Sequence, residues 1–515
     1  MTSKTQFTLV GIKINSIQEY IFQSNLLKEN IGASHITNEI LFGKVLKNSL
    51  IEIIGEEALA WDNWKVNFDE MQIYNDQCFC EIIEIGGGGA LLLLKEFETV
   101  EKFIKKFSLE ILLRFPGLKT SFSYVRNFDQ LQFKNQKKQL FKQLESLNKS
   151  GHLNTIPIKL GIMQNCEISQ FSAEVEWSKN PNTKSKKISR YSLEKINYAS
   201  KSLDSYKKLI NDDRFILSSE IENLGQNTES GYIAIVHIDG NGIGKKVAAI
   251  ESIADLRVFS TNRVNITNKA LQQLIKNDVL GKITDDNTGD YSFAGIKLKR
   301  NDEGKTILPI LPLLHGGDDV TFICEGRLGI YLAESFLNYF TSDSNVFESA
   351  CAGVAIVKTK FPFYKAYTLA EELCAEAKVK SRETNSSYLS YFYSASTFSG
   401  TLGQIRQRTH TTVNGKNLYN GPYLVSINDS LTNLKAGIRH FKNCNGLNIS
   451  KNKVMKLREI LNEGNSNTDF FIKDLLEQGF SLPLKQTKVW TESNESSTPF
   501  FDQIELMDFY PKELL

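Results

Sequence analysis

The chain lacks any apolar run near the length of about 18 residues that spans a bilayer. Its opening, MTSKTQFTLVGIKI, has no charged-then-apolar leader layout. No membrane partner is therefore expected, and the expected location is cytoplasmic. Cysteine is scarce, seven in 515 residues. No two cysteines form the C-x-x-C knuckle from which four-ligand zinc sites are usually built. Cys78 and Cys80 are the only close pair; alternation in CFCEIIEI puts them on one face of a strand, as buried reduced thiols. An excess of one charge is missing as well: 61 basic residues face 59 acidic ones, for a net charge of +2. That balance excludes a basic nucleic-acid coat but leaves room for local basic faces. What remains, 41% hydrophobic and 23% charged, is ordinary for a globular protein, and the length calls for two to four domains.

FTLVGIK at 7–13 reads as a strand, followed by a helical stretch over 17–54. The apolar stretch 78–95 is broken by four glycines at 86–89, the pattern of a hairpin whose turn needs glycine. FETVEKFIKKFSLEILLRF has helical spacing, LKTSFSYVR alternates as a strand, and a lysine-rich helix runs to about Ser150. The second half repeats this order. Residues 232–238 form an apolar strand, 253–277 a helix, and 281–306 a surface insertion. LPILPLLHGGDDVTFICEG is a hairpin, 327–340 a helix, CAGVAIVK a strand, 364–381 a helix, and SYLSYFY a closing strand. VGIKINSI aligns with VHIDGNGI at an offset of 239 − 13 = 226, and the glycine turns align at 316 − 86 = 230. Two landmarks agreeing within four residues indicate an internal duplication.

Residues 151–225 lie between the halves and are poor in periodic apolar pattern. Lys179, Lys184, Lys186, Lys187 and Arg190 cluster there, as a solvated loop or as a contact to RNA or DNA phosphates. Beyond about residue 405 the pattern turns helical. Leu431, Leu434, Ile438 and Phe441 form one stripe, Val454, Leu457 and Leu461 a second, and Phe471, Leu475 and Gln478 a weaker third. These read as the core of a helical bundle. The expected domains are 1–150, 151–227, 228–404 and 405–515.

HIDGNGIGKK and HGGDDV carry the chemistry. Asp239 ends an apolar strand, where an unpaired carboxylate is costly, and Asp318 and Asp319 sit at a hairpin turn. Oxygen ligation by such carboxylates suits Mg²⁺ or Mn²⁺, with phosphate oxygens completing the shell. Gly240, Gly242 and Gly244 let a turn approach phosphates closely, while Lys245 and Lys378 are candidates to neutralise them. The G-N-G-I-G run lacks the spacing of a dinucleotide fingerprint. His237 and His315 flank the acids without a histidine partner at ligand spacing, and read as polar or substrate-facing residues.

HIDGNGIGKK, LLHGGDDVTFIC and SACAGVAIVKTKFPFYKAYTLAEELCAEAK resemble the second palm of the large polymerase-like subunit of type III CRISPR effectors. More distantly they resemble GGDEF-type diguanylate cyclases and class III nucleotidyl cyclases. NSIQEYIFQSNLLKENIGASHI and GGGGALLLL resemble that subunit's first palm. The resemblance covers most of residues 7–400, and the helical tail fits the family's C-terminal bundle. It implies an α+β fold of two ferredoxin-like, nucleotidyl cyclase-like palms, with an intervening small domain and a C-terminal helical bundle. It also implies conversion of ATP into cyclic or linear oligoadenylate second messengers; the reading adopted is conversion of ATP, or another NTP, into a cyclic or short oligonucleotide signal in antiviral defence, a 3′-hydroxyl attacking an α-phosphate.

Carried over, Asp239 and Asp318 hold the metals with Asp319 beside them, and Gly316 and Gly317 make room for base or ribose. Asn241 lies in the nucleotide loop, and Lys378 contacts the triphosphate. In the first palm Lys13 replaces the metal aspartate, and Gly88 and Gly89 replace the acidic pair. That half is expected to be a scaffold or to present the acceptor nucleotide. RNA, other CRISPR-type subunits and a second copy of the chain are the candidate partners. The chain departs from the family in three places. No His-Asp dipeptide occurs, so the HD nuclease is not expected; the zinc knuckle is reduced to Cys166; and Asn241 stands where the family has an acid. The missing nuclease and zinc knuckle point to a divergent or free-standing version. The other readings of the same residues are a mono- or dinucleotide cyclase and a non-catalytic RNA-binding scaffold.

Overall fold

The computed structural model describes residues 6–149, 161–178, 184–226, 231–285, 289–342, 346, 348–394, 400–426, 430–443, 450–480, 482–483, 489–490 and 497–515. They fall into two compact units, residues 1–211 with 242–268 and 313–320, and residues 212–241 with 269–312 and 321–515. Among them no helix is long and apolar enough to cross a membrane.

In the first unit the apolar segment FTLVGIKIN becomes β1 (Phe7–Asn15), an inner strand. β2 (Leu59–Ala60), β3 (Cys80–Gly86), β4 (Gly89–Lys95) and β5 (Lys119–Arg126) complete a sheet in the order β2-β3-β4-β1-β5. Helices Ile17–Phe22, Leu27–His35 and Leu46–Ile54 lie between β1 and β3, and helix Phe97–Arg114 connects β4 to β5. Apart from the short edge strand β2, this is the ferredoxin-like arrangement. The β3–β4 turn has positive φ at Gly87 (58°) and Gly88 (70°), the two-residue hairpin geometry that glycine adopts without a Cβ clash. Helix Phe133–Lys149 packs on β1 and β5.

The intervening segment departs from its reading as pattern-poor. After the short hairpin of β6 (Val175–Trp177) and β7 (Lys186–Ile188) comes a 21-residue helix, Arg190–Ile210. Its buried face comprises Tyr191, Ser192, Lys195, Ile196, Ala199, Ser202, Tyr206 and Ile210, so the periodicity is real but carried by few aliphatics. Lys195 Nζ donates to the Tyr20 carbonyl at 2.6 Å and lies over the Tyr20 and Tyr191 rings. Burial lowers its pKa to about 7. Cys166 accepts backbone N–H groups from Ile168, Ser169 and Ser189 at 3.2–3.4 Å. Burial raises its pKa, but hydrogen bonding from the Ser169 side chain together with these backbone groups outweighs burial and brings it to about 7. Lys184, Lys186, Lys187 and Arg190 are exposed, and Lys179 lies outside the described residues.

The second unit holds β8 (Phe215–Ile216), β9 (Tyr232–Gly240), a small sheet of β10 (Ile283–Asp285), β11 (Tyr291–Phe293) and β12 (Ile296–Lys297), and β13 (Thr306–Ile307) parallel to β8. β14 (Ile310–Gly316), β15 (Asp319–Glu325), β16 (Ala350–Lys358), β17 (Tyr388–Tyr393) and β18 (Tyr423–Leu424) join β9 in the order β14-β15-β9-β16-β17-β18. The order β14-β15-β9-β16 repeats β3-β4-β1-β5. β3 ends at Gly86 and β4 begins at Gly89, where β14 ends at Gly316 and β15 begins at Asp319; the offset of 230 holds on both sides of the turn.

The C-terminal helices are Ser430–Lys442, Lys451–Leu461, Asn465–Glu477 and Phe500–Leu506. The first two expected stripes are buried throughout. The third is shifted: Ile472 and Leu475 are buried, Phe471 only partly, and Gln478 is exposed just past the helix end. Adjacent apolar residues at 470–472 hide the phase, because any of the three extends a helical stripe. Six cysteines are free and buried, and Cys444 lies outside the described residues.

Candidate metal centre

β9 runs antiparallel to β16, with Asp239 opposite Cys351 and His237 opposite Gly353. Alternation puts His237 and Asp239 on one face of β9, as it does Asp319 and Thr321 on β15. His237 Nδ1 and Thr321 Oγ1 are hydrogen-bonded at 3.1 Å. His237, Asp239 and Asp319 each offer a ligand atom, all within 4.8 Å of one another. Burial pushes the His237 pKa down to about 4, against the pull of Asp239, so the imidazole is neutral and able to ligate. Two carboxylates brought this close repel unless a cation lies between them. Their hard oxygens are the donors that Mg²⁺ or Mn²⁺ takes.

Lys378, on helix Phe363–Thr384, makes an ion pair with Asp239 Oδ2. Gln18 Nε2 donates to Asp319 Oδ2 at 3.0 Å. Asp318 stands apart from the cluster, its Oδ1 lying 3.7 Å from Arg263 Nη1. Gly317 has φ of 92°, and Asp318 is not in the positive-φ region. A turn with only its first central residue there is the II′ type, which calls for glycine at that position.

The loop after β9 is anchored by Asn241. Its Nδ2 donates to Ser349 Oγ at 2.9 Å and Ser381 Oγ at 2.8 Å, and its backbone N–H to the Ser349 carbonyl at 3.0 Å. Gly240 ends β9 opposite Ala350. Gly242, with φ of 75°, begins helix Ile243–Ala249, and a Cβ on Gly242 or Gly244 would meet nothing within 4 Å. Lys245 is exposed on that helix. Within the first unit a cavity of about 480 Å³ is lined by Lys13, Glu84, Gly86, Gly244, Arg263 and Asp318, among others. His315 packs its ring against Tyr206 at 5.6 Å.

Sequence reasoning did not single out Gln18, Arg263, Ser349 or Ser381, and took His237 only as a polar flank. Period-two alternation places His237 on the face of Asp239, so that residue could have been found. The others meet the site through tertiary contacts that no local pattern encodes.

Residues 232–386 match the family model for the Cas10/Cmr2 second palm domain. No curated protein matches the chain. Among solved structures, a chain of the Csm1-Csm4 cassette in complex with AMPPNP is 12% identical with a TM-score of 0.51, covering 100% of this chain and 70% of that one. The same cassette in complex with one ATP gives 12% identity and a TM-score of 0.51, over 99% of this chain and 70% of that one. Csm1 of T. onnurineus gives 11% and 0.51, over 99% and 71%. Residues 232–386 thus match the Cas10/Cmr2 second palm domain, and the chain is similar in fold to Csm1.

Proposed function

We propose that the chain is a metal-dependent nucleotidyltransferase that converts ATP, or another NTP, into cyclic or short oligonucleotide messengers in antiviral defence. The observation that carries this reading is the convergence of Asp239 and Asp319, with the neutral His237, at the ends of adjacent strands of a palm sheet. Matched solved structures hold AMPPNP, ATP and cA3 together with Csm4. ATP and a Csm4-like subunit are accordingly the first partners to test, with RNA and a second copy after them.

Asp239 and Asp319 would hold a divalent cation, which would supply Lewis-acid stabilisation of phosphate charge and lower the proton affinity of an attacking 3′-hydroxyl. The chain's own residues bind and orient. Lys378 stands beside Asp239, and its ammonium is the positive charge that would meet a phosphate there. Gly242 and Gly244 border open space, which leaves room for phosphate oxygens to approach the backbone of this turn; Lys245 adds a positive charge on the same helix. Gly316 and Gly317 leave room for base or ribose. Asn241 contributes by fixing the loop rather than by charge, since its amide nitrogen is held by two serine hydroxyls.

In this reading residues 1–150 are a degenerate first palm and 228–404 the catalytic one, with 151–227 an intervening small domain and 405–515 a helical domain. Lys13 sits where the second half has Asp239, and Gly88 and Gly89 where it has the acidic pair. The 480 Å³ cavity can then receive an acceptor nucleotide without holding a catalytic metal. Incubating the purified chain with each NTP and Mg²⁺ or Mn²⁺, with and without RNA, and resolving products by mass tests the proposal. Oligonucleotide masses support it, and a cyclic mono- or dinucleotide makes the chain a cyclase instead. Absence of both product and metal-dependent nucleotide binding makes it a scaffold.

A further inference from the structure

Helix Ile253–Gln273 turns one face, Arg257, Ser260, Arg263 and Thr267, toward β3 and the Gly317 turn. Arg257 is paired with Glu81, both fully buried. Ser260 Oγ is hydrogen-bonded to Glu84 Oε1, and Thr267 Oγ1 to the Gly317 carbonyl. Between them Arg263, 5% exposed, divides one guanidinium between two carboxylates. Nη2 lies 3.3 Å from Glu84 Oε1 and Nη1 lies 3.7 Å from Asp318 Oδ1.

The same guanidinium fills the space left by two turn glycines. A Cβ on Gly86 would lie 2.6 Å from Arg263 Nη2, and one on Gly317 would lie 3.3 Å from Arg263 Nε. Glycine in each hairpin thus admits the arginine. The Glu84 contact is reinforced by Ser260, whereas the Asp318 contact exceeds normal hydrogen-bond length and is the one more easily given up. Arg263, Glu84 and Asp318 also line the 480 Å³ cavity together with Lys13, so an anion entering it meets Arg263.

We infer that Arg263 is a positioning residue that holds Asp318 as its counter-ion until the phosphates of a nucleotide in this cavity take the guanidinium, leaving Asp318 as a third carboxylate beside Asp319. The inference rests on the metal-dependent nucleotidyltransferase reading. It explains why Asp318, one residue from Asp319, stands outside the His237–Asp239–Asp319 cluster.

Mn²⁺ binding to the nucleotide-free full chain, followed by electron paramagnetic resonance, tests it. Arg263→Gln is expected to tighten binding by about fivefold or more, the usual scale of a coupling between sites. Arg263→Gln/Asp318→Asn is expected to return to the wild-type value. Arg263→Gln binding no tighter than wild type, or a double variant as tight as the single, overturns the inference. A wild-type chain that binds no Mn²⁺ overturns the metal reading itself, and the inference with it. Glu84→Gln supplies a second test that does not depend on Arg263→Gln folding. With Glu84 neutral, Arg263 belongs to Asp318 alone, so KM for the nucleotide rises several-fold while kcat changes less. A fall in kcat at constant KM assigns Glu84 and Arg263 a structural role and rejects the inference.

Discussion

Lys378 Nζ is ion-paired with Asp239 Oδ2, each side chain about one quarter exposed (26% and 27%). In the proposed reading this ammonium would compete with a divalent cation for the Asp239 carboxylate. Removing it frees Asp239 for metal but deprives the phosphates of a cation. Lys378→Met is therefore expected to raise KM for the nucleotide by about tenfold, a loss of about 1.4 kcal/mol, without weakening Mn²⁺ binding in its absence. Steady-state kinetics and Mn²⁺ titration check the two halves of this prediction.

The helix that carries Lys378 packs on β16 at Gly353, where a Cβ would lie 2.0 Å from the Ala370 carbonyl oxygen and 2.4 Å from the Cys374 nitrogen. Backbone on each side leaves no flexible group to yield. Gly353→Ala is expected to destabilise the chain by about 3 kcal/mol or more and to lower activity by displacing Lys378. Denaturant unfolding beside a kinetic assay reads both effects.

Arg257 and Glu81 form a fully buried ion pair at 2.7 Å, and Arg257 also donates to the carbonyls of Asn67, Glu70 and Ile82. Removing one partner strands a charge. Arg257→Met and Glu81→Leu are each expected to cost about 3–5 kcal/mol, whereas the double variant loses less than their sum. A double-mutant cycle in urea measures the difference.

Asp502 is fully buried, and burial pushes its pKa up to about 7, despite hydrogen bonds from Tyr423 and the Asn420 backbone. A carboxyl whose folded pKa lies above its unfolded value of about 3.9 favours folding most below that unfolded value. The contribution is lost as pH rises through about 7. Asp502→Asn is expected to remove this component, so that wild type and variant differ in stability by about 2 kcal/mol or more between pH 4.5 and 8. Urea midpoints at the two pH values test the sign.

Much of the fold was written in local pattern. The strand Tyr232–Gly240, the glycine-broken hairpins and the 226 and 230 offsets are short-range features, and the repeated strand order follows them. Asp239 stood out as a carboxylate at an apolar strand end, and Asp318 and Asp319 as an acidic pair at a glycine turn; the resemblance put Asp318 on the metals with Asp319 beside it, whereas Asp319 is the one of the pair that lies near Asp239. Arg263 was not: in VFSTNRVN it reads as one more exposed helical cation, and only tertiary packing reveals that two glycine turns close around it. Helix Arg190–Ile210 escaped because tyrosine, serine and a buried lysine fill its inner face. Asn241 was read as a member of the nucleotide loop, standing where the family has an acid; the hydrogen bonds from its amide nitrogen to Ser349 and Ser381 join distant segments that no local pattern links.

If Asp239 and Asp319 form a metal-dependent nucleotide-transfer centre, product formation by wild type and by Asp319→Asn must differ. The wild-type chain, supplied with NTPs, Mn²⁺ and RNA, is expected to yield an oligonucleotide product. Asp319→Asn, which keeps shape but removes charge, is expected to lose about two orders of magnitude or more in rate while retaining the fold. A product formed at the wild-type rate by Asp319→Asn would show that the Asp319 carboxylate takes no part in the transfer.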